Sequence, residues 1–168
     1  PEKSELPRVA AGITLGDEGS LWVANAFSHT VARFNADGKV ALEKSLGKDS
    51  YPYGATFDRK RGRLYVSLWN RAEVVAIDVK TGEYAGHWTT QEHPNEMLMA
   101  PSGKRLYVAN ANRNTVSVID LEAGTVIETI GTSLDPRSLA GSTPSSLALT
   151  TDENVLFVAN AATNDVAM

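Results

Sequence analysis

The chain has 168 residues, a formal net charge of −4 from 16 basic and 20 acidic side chains, and a hydrophobic share of 42%. That length and that share support one or two packed domains and exclude a disordered chain. There is no cysteine, which excludes a disulfide framework, a thiolate metal site and a cysteine nucleophile.

In chain order, the opening "PEKSELPR" lacks an initiator Met and shows no signal-peptide pattern, which reads as a processed or trimmed product. No apolar run approaches the roughly 18 residues of a spanning helix. The stretch "LPRVA" is either an edge strand or a disordered leader, since its proline suits only an edge. Then comes "GITL", followed by "LWVANAFSHTVARF" from Leu21, a strand, a tight turn and a strand. The next stretch divides into "YGATF", "RLYVSL", "EVVAID" and "EYAGHWT", and the one after it into "NEMLM", "RLYVAN", "TVSVID" and "VIETI". The connections "DRKRG", "VKTGE", "APSGK" and "LEAGT" carry the glycine that short hairpin turns use. "RKRGR" at Arg59–Arg63 is the strongest basic run and reads as a solvated hairpin tip, so nucleic acid is not an expected partner. Last come a longer connection, "SLDPRSLAGSTP", and then "SSLALTTDENVLFVAN".

The unit therefore repeats. Leu21 to Leu64 is 43 residues, Leu64 to Leu106 is 42 and Leu106 to Leu156 is 50. All-strand units at such a period are the mark of propeller blades, because the competing arrays are helical and would show apolar spacing of three and four. Each unit is a four-stranded antiparallel meander, and the predicted fold is an all-β propeller with about three and a half blades at 10–48, 49–91, 92–141 and 142–168, the last incomplete. "LYVAN" is apolar at successive positions, as a strand covered on both faces must be. The Asn recurring at Asn25, Asn110 and Asn160 reads as a strand terminator that bonds its own backbone and tolerates left-handed geometry.

The segment "LYVAN…NTVSVIDLEAGTVIETI", its weaker copies, and a proline before the inner strand at Pro52, Pro94 and Pro144 resemble the YVTN-type β-propeller repeats. The resemblance runs from about Val9 to the end and implies a ring of about seven blades. The last connection and unit resemble the propeller that precedes a phosphoesterase domain in some bacterial exported proteins. No phosphoesterase segment is present here, so that activity is not implied. What the resemblance does imply is a periplasmic or extracellular, WD40-like bacterial propeller. Its expected partner is the remainder of the ring, as a second chain, a fragment or a second copy, with a small molecule or protein as ligand.

No nucleophile elbow, P-loop or dinucleotide fingerprint occurs. The three histidines lack metal-ligand spacing, so neither a metal nor a cofactor is expected. Binding residues are sought instead in the non-repeated rim loops, since loops carry function on rigid scaffolds. His29, Trp69, Arg71, His93 and Arg137 are the candidates. Trp69 stands where the other units have a small residue, and with Arg71 it suggests a recognition pair. The expected function is a non-enzymatic binding scaffold. The alternative is part of a lactonase, lyase or quinoprotein, and among the predicted inner strands only Glu96 supplies a charged side chain for it.

Overall fold

Short runs of β-branched and aromatic residues, broken by Gly, Asp and Asn, fold here as up-and-down strands. The computed structural model describes residues 9–133, 139 and 141–168. The first sheet contains β1 (Ala10–Leu15), β2 (Leu21–Asn25), β3 (Thr30–Phe34) and β4 (Val40–Ser45). The second contains β5 (Pro52–Asp58), β6 (Arg63–Leu68), β7 (Glu73–Asp78) and β8 (Tyr84–Thr89). The third contains β9 (Pro94–Met99), β10 (Arg105–Asn110), β11 (Thr115–Asp120) and β12 (Thr125–Gly131). The fourth contains β13 (Pro144–Leu149), β14 (Leu156–Asn160) and β15 (Asp165–Ala167). Strands pair in sequence order within each sheet, and the innermost strands β1, β5, β9 and β13 lie side by side about a common centre. This is an arc of a β-propeller, as the period predicts.

The uninterrupted apolar run has its expected cause. Leu64, Val66 and Leu68 pack toward the first blade, while Tyr65 between them packs toward the third. One blade on, Leu106 and Val108 face back and Tyr107 and Ala109 face forward. Each buried Leu or Val among them is worth about 1.5–3 kcal/mol. Phe157 is the equivalent of Tyr65 and Tyr107 in the fourth blade. It is 38% exposed, as are Ile13 (65%) and Leu15 (73%) on the outward face of the first blade. The arc thus ends in two uncovered apolar faces.

The outer hairpins turn on an aspartate. Asp78 Oδ1 accepts the N–H groups of Lys80 and Thr81, and Asp120 Oδ1 accepts those of Glu122 and Ala123. Those backbone donors hold both carboxyls below the usual carboxylate range.

Two local expectations are revised. The recurring Asn does not bond its own backbone. Asn25 Nδ2 donates to Thr30 Oγ1, Asn110 Nδ2 to Thr115 Oγ1 and Asn160 Nδ2 to Asp165 Oδ1, each across the hairpin to the start of the next strand. The left-handed residues come four positions later, at His29, Asn114 and Asn164, with Ala72 as their equivalent in the second blade. "RKRGR" is also more than a solvated tip. Arg59 Nε bonds Asp17 Oδ1 at 2.6 Å in the first blade, and Arg61 Nη1 bonds both Asp58 Oδ2 (2.9 Å) and the carbonyl of Gly103 (2.7 Å) in the third. Of "LPRVA", Val9 carries a carbonyl that accepts from Ala26 N–H, and Ala10 already belongs to β1. The residues before Val9 lie outside those described.

Candidate functional site

One rim of the arc is assembled from the turns after β2, β6, β10 and β14 and from the connections entering β5, β9 and β13. At the entry to β5, β9 and β13, Tyr51, His93 and Thr143 have left-handed backbones (φ 48°, 56° and 54°) immediately before a proline. Their carbonyls accept the N–H groups of Trp69, Ala111 and Ala161 at 3.0 Å each, as the Val9 carbonyl accepts that of Ala26. A bond repeated in every blade holds the conformation. The side chain at that position is free to vary, and it varies from Tyr to His to Thr.

Two of these side chains join a continuous aromatic arc. Phe27 meets Tyr51 edge-on at 5.5 Å, Tyr51 meets Trp69 at 5.5 Å, and Trp69 stacks on His93 at 3.6 Å with 8° between the planes. His29 backs the arc, with Nδ1 accepting the N–H of Tyr51 at 3.3 Å, which puts its ring proton on Nε2. Among the named candidates, His29, Trp69 and His93 therefore come together, with Tyr51 between them.

Arg71 does not join them. Its Nη2 donates to the carbonyl of Lys48 at 2.7 Å, beside Gly47, so it clasps the connection between the first two blades. Trp69 and Arg71 share one turn but face different neighbours, and the recognition pair suggested by their adjacency is not formed. Arg113 repeats the clasp one blade on, with Nη2 on Glu92 Oε1 at 2.6 Å. Arg137 lies outside the described residues. Asn114 organises what is described of that last connection, accepting from Gly141 and Ser142 N–H and donating to the Leu139 carbonyl.

Beside the arc, the central channel opens into a cavity of about 410 Å³ between the inner strands. Its wall is stitched across three blades. Gly54 N–H donates to Ser67 Oγ, Ser67 Oγ donates to the Asn95 carbonyl, and Asn95 Nδ2 donates to the Pro144 carbonyl, at 2.7, 2.7 and 2.9 Å. A Cβ on Gly12 would collide with the Tyr53 carbonyl, and one on Gly54 with that of Asn95. At the same position the third blade carries Glu96, half-buried and lining the cavity along with Tyr53 and Ser145. Among the described residues no group of three His, Asp or Glu side chains could hold a metal ion.

Sequence reading named Trp69 and His93 of the arc, and His29 behind it, as separate candidates. It missed their contact, because Tyr51, Trp69 and His93 lie 18 and 24 residues apart. The available signal was the residue before proline, at one-blade spacing.

Comparison with known proteins bears on the same chain. The family described as lactonase, 7-bladed β-propeller, matches residues 70–168. The protein YncE of Escherichia coli K12 is 28% identical over 154 residues, which is 86% of this chain and 43% of that protein. YncE of Salmonella typhimurium is 24% identical over 137 residues, covering 79% of this chain and 38% of its own length. The chain thus spans about two fifths of the curated relatives it matches. Among solved structures, Kuenenia stuttgartiensis hydrazine synthase superposes with a TM-score of 0.79 at 23% identity over 94% of this chain and 43% of that one. At that identity the likeness concerns the fold.

Proposed function

Because this chain belongs to the seven-bladed β-propeller lactonase family, we propose that it supplies part of such a ring and binds a ring-bearing ligand at the aromatic rim of its channel. The observation that supports this is the Phe27–Tyr51–Trp69–His93 arc. Flat aromatic surfaces take flat ligands by stacking, each contact worth about 0.5–1.5 kcal/mol beyond area burial. Trp22 and Trp88 are buried whereas Trp69 is partly exposed, so tryptophan emission reports on the rim. Titration of the intact protein with phenol, D-glucose and D-glucono-1,5-lactone should give a saturable change with at least one, weakened in Tyr51→Leu. No saturable change with any of the three would end this reading.

A second reading is lactone hydrolysis. It rests on Glu96, the carboxylate standing where the first two blades have Gly12 and Gly54. Such a carboxylate can take a proton from water as the water oxygen adds to the lactone carbonyl. The ring C–O bond then breaks and the proton passes to the departing alkoxide. Acid release from D-glucono-1,5-lactone at constant pH, above the buffer rate and lost in Glu96→Gln, would select this reading over the first.

The uncovered faces at Ile13, Leu15 and Phe157 support a ring closed by further blades, from another chain or a longer form of this one. Light scattering showing a stable 18 kDa monomer would contradict it. We further place the protein outside the cytoplasm, a reading supported by its likeness to bacterial exported propellers and tested by fractionation of the source cell.

A further inference from the structure

On the rim opposite the aromatic arc, the first and second blades enclose a pocket of about 420 Å³ that interrupts the repeat. The interruption begins in β3. Arg33 pairs with Trp22 across β2 and β3, as Ala76 pairs with Tyr65 and Val118 with Tyr107. Ala76 and Val118 are core residues at 0% and 1% exposure. The first blade thus places a guanidinium where its neighbours place a methyl or an isopropyl group. Arg33 Nε is shut off from solvent and has no hydrogen-bond partner. Arg33 itself lines the pocket, where an anion can answer its charge.

The pocket around it is both polar and apolar. Phe57, half-buried, and Val79 come from the second blade, while Glu18 and Asn35 come from loops of the first. Two further carboxylates are already answered by cations: Asp17 by Arg59 at 2.6 Å and Asp37 by Lys39 at 3.1 Å. Arg33 and Glu18 remain as the charges open to a ligand. Glu18 sits at a left-handed backbone (φ 55°), and the bend is pinned by Ser20, whose N–H and Oγ both donate to the Asp17 carbonyl.

We propose that this pocket is a second binding site, for a sugar acid of the uronate class. Its carboxylate accepts from Arg33, its hydroxyls donate to Glu18 and exchange hydrogen bonds with Asn35, and the C–H face of its ring lies on Phe57. A neutral sugar offers Arg33 only uncharged oxygens and leaves its charge unanswered, and a bare carboxylate leaves Glu18 and Phe57 unused. The two blades that form the pocket are both present in the chain, so the site does not depend on the rest of a ring.

Isothermal titration of the intact protein with D-glucuronate, D-glucose and acetate tests this. D-glucuronate should bind saturably, and glucose and acetate at least about tenfold more weakly, glucose for want of the charge-assisted bond and acetate for want of the hydroxyl and ring contacts. Arg33→Ala should fold, since Ala76 holds the same place in the second blade, and should lose glucuronate affinity by a similar factor. The titrations are repeated in the Tyr51→Leu background, which weakens ring binding at the opposite rim and leaves this pocket as the site that is read; the outcomes are scored there. No saturable glucuronate binding, equal binding of glucose, or full affinity in a folded Arg33→Ala protein would each overturn the proposal.

Discussion

The middle strands and the innermost strands of these blades obey different rules. In the middle strands the third blade nearly copies the second: Leu64-Tyr65-Val66 becomes Leu106-Tyr107-Val108, with every one of the six at 5% exposure or less. In the innermost strands the equivalent position reads Gly12, Gly54, Glu96 and Ser146, and the residue before each begins from Ala11, Tyr53, Asn95 and Ser145. The middle strands are gripped by a neighbour on both faces, so volume and shape fix their sequence. The innermost strands are gripped at their backbones and at side chains such as Met97 and Leu147, while Tyr53, Glu96 and Ser145 are released for the channel. The repeat therefore records the scaffold, and departures from it mark the surface available for chemistry.

The largest expected effect tests the scaffold half of that contrast. Leu106→Ala should destabilise by about 2–5 kcal/mol through loss of burial and the cavity left between blades, read as a shift in the denaturant midpoint. Gly54→Ala should cost about 1–3 kcal/mol, because its Cβ meets the Asn95 carbonyl and the inner strands must part. Glu96→Gly, at the same position one blade on, should change stability by less than about 1 kcal/mol, since the third blade has no such approach to lose. Equal costs at positions 54 and 96 would break the comparison.

Below the cost at position 54 lies that of Trp69→Ala. It should leave the folded state within about 1.5 kcal/mol, the worth of an aromatic contact, while removing the partly exposed share of the tryptophan emission. The mildest test is pH. The backbone donors of their turns hold Asp78 and Asp120 below the ordinary carboxylate value. Folded values below unfolded ones mean stability that is complete above the unfolded pKa near 4 and declines as pH falls through the folded values. Melting temperature should drop on acidification below about pH 5, and slightly less so in Asp78→Asn.

Legibility in the sequence follows the same division. The strands at Arg63–Leu68, Glu73–Asp78 and Thr115–Asp120 were readable to the residue, because core volume and glycine turns repeat at one-blade spacing. The role of Asn110 was misread. Its occurrence at a strand end was visible, but its partner Thr115 lies across a hairpin whose geometry composition does not reveal. The clasp made by Arg71 was not visible either, for its carbonyl partner at Lys48 is an unmarked backbone atom. Arg33 went unnoticed although it interrupts an aligned core column. A lone charge in a strand looks like an outward-facing residue until pairing with Trp22 fixes its face. Contacts between blades depend on how closed units abut, and no local pattern encodes that.

The innermost strands have one further consequence. Each is a sheet edge, with unpaired backbone groups toward the channel, and such edges invite another strand to add on. β5, β9 and β13 each begin with proline, which donates no hydrogen bond, and all four inner strands slip register against their neighbours near the second residue. A missing donor and a bulge together deny an incoming peptide the continuous ladder it would need. The channel is in this sense insulated against strand invasion. A guest there is held by side chains and isolated backbone groups rather than by a ladder, and the protein can present an open mouth without becoming a template for its own aggregation.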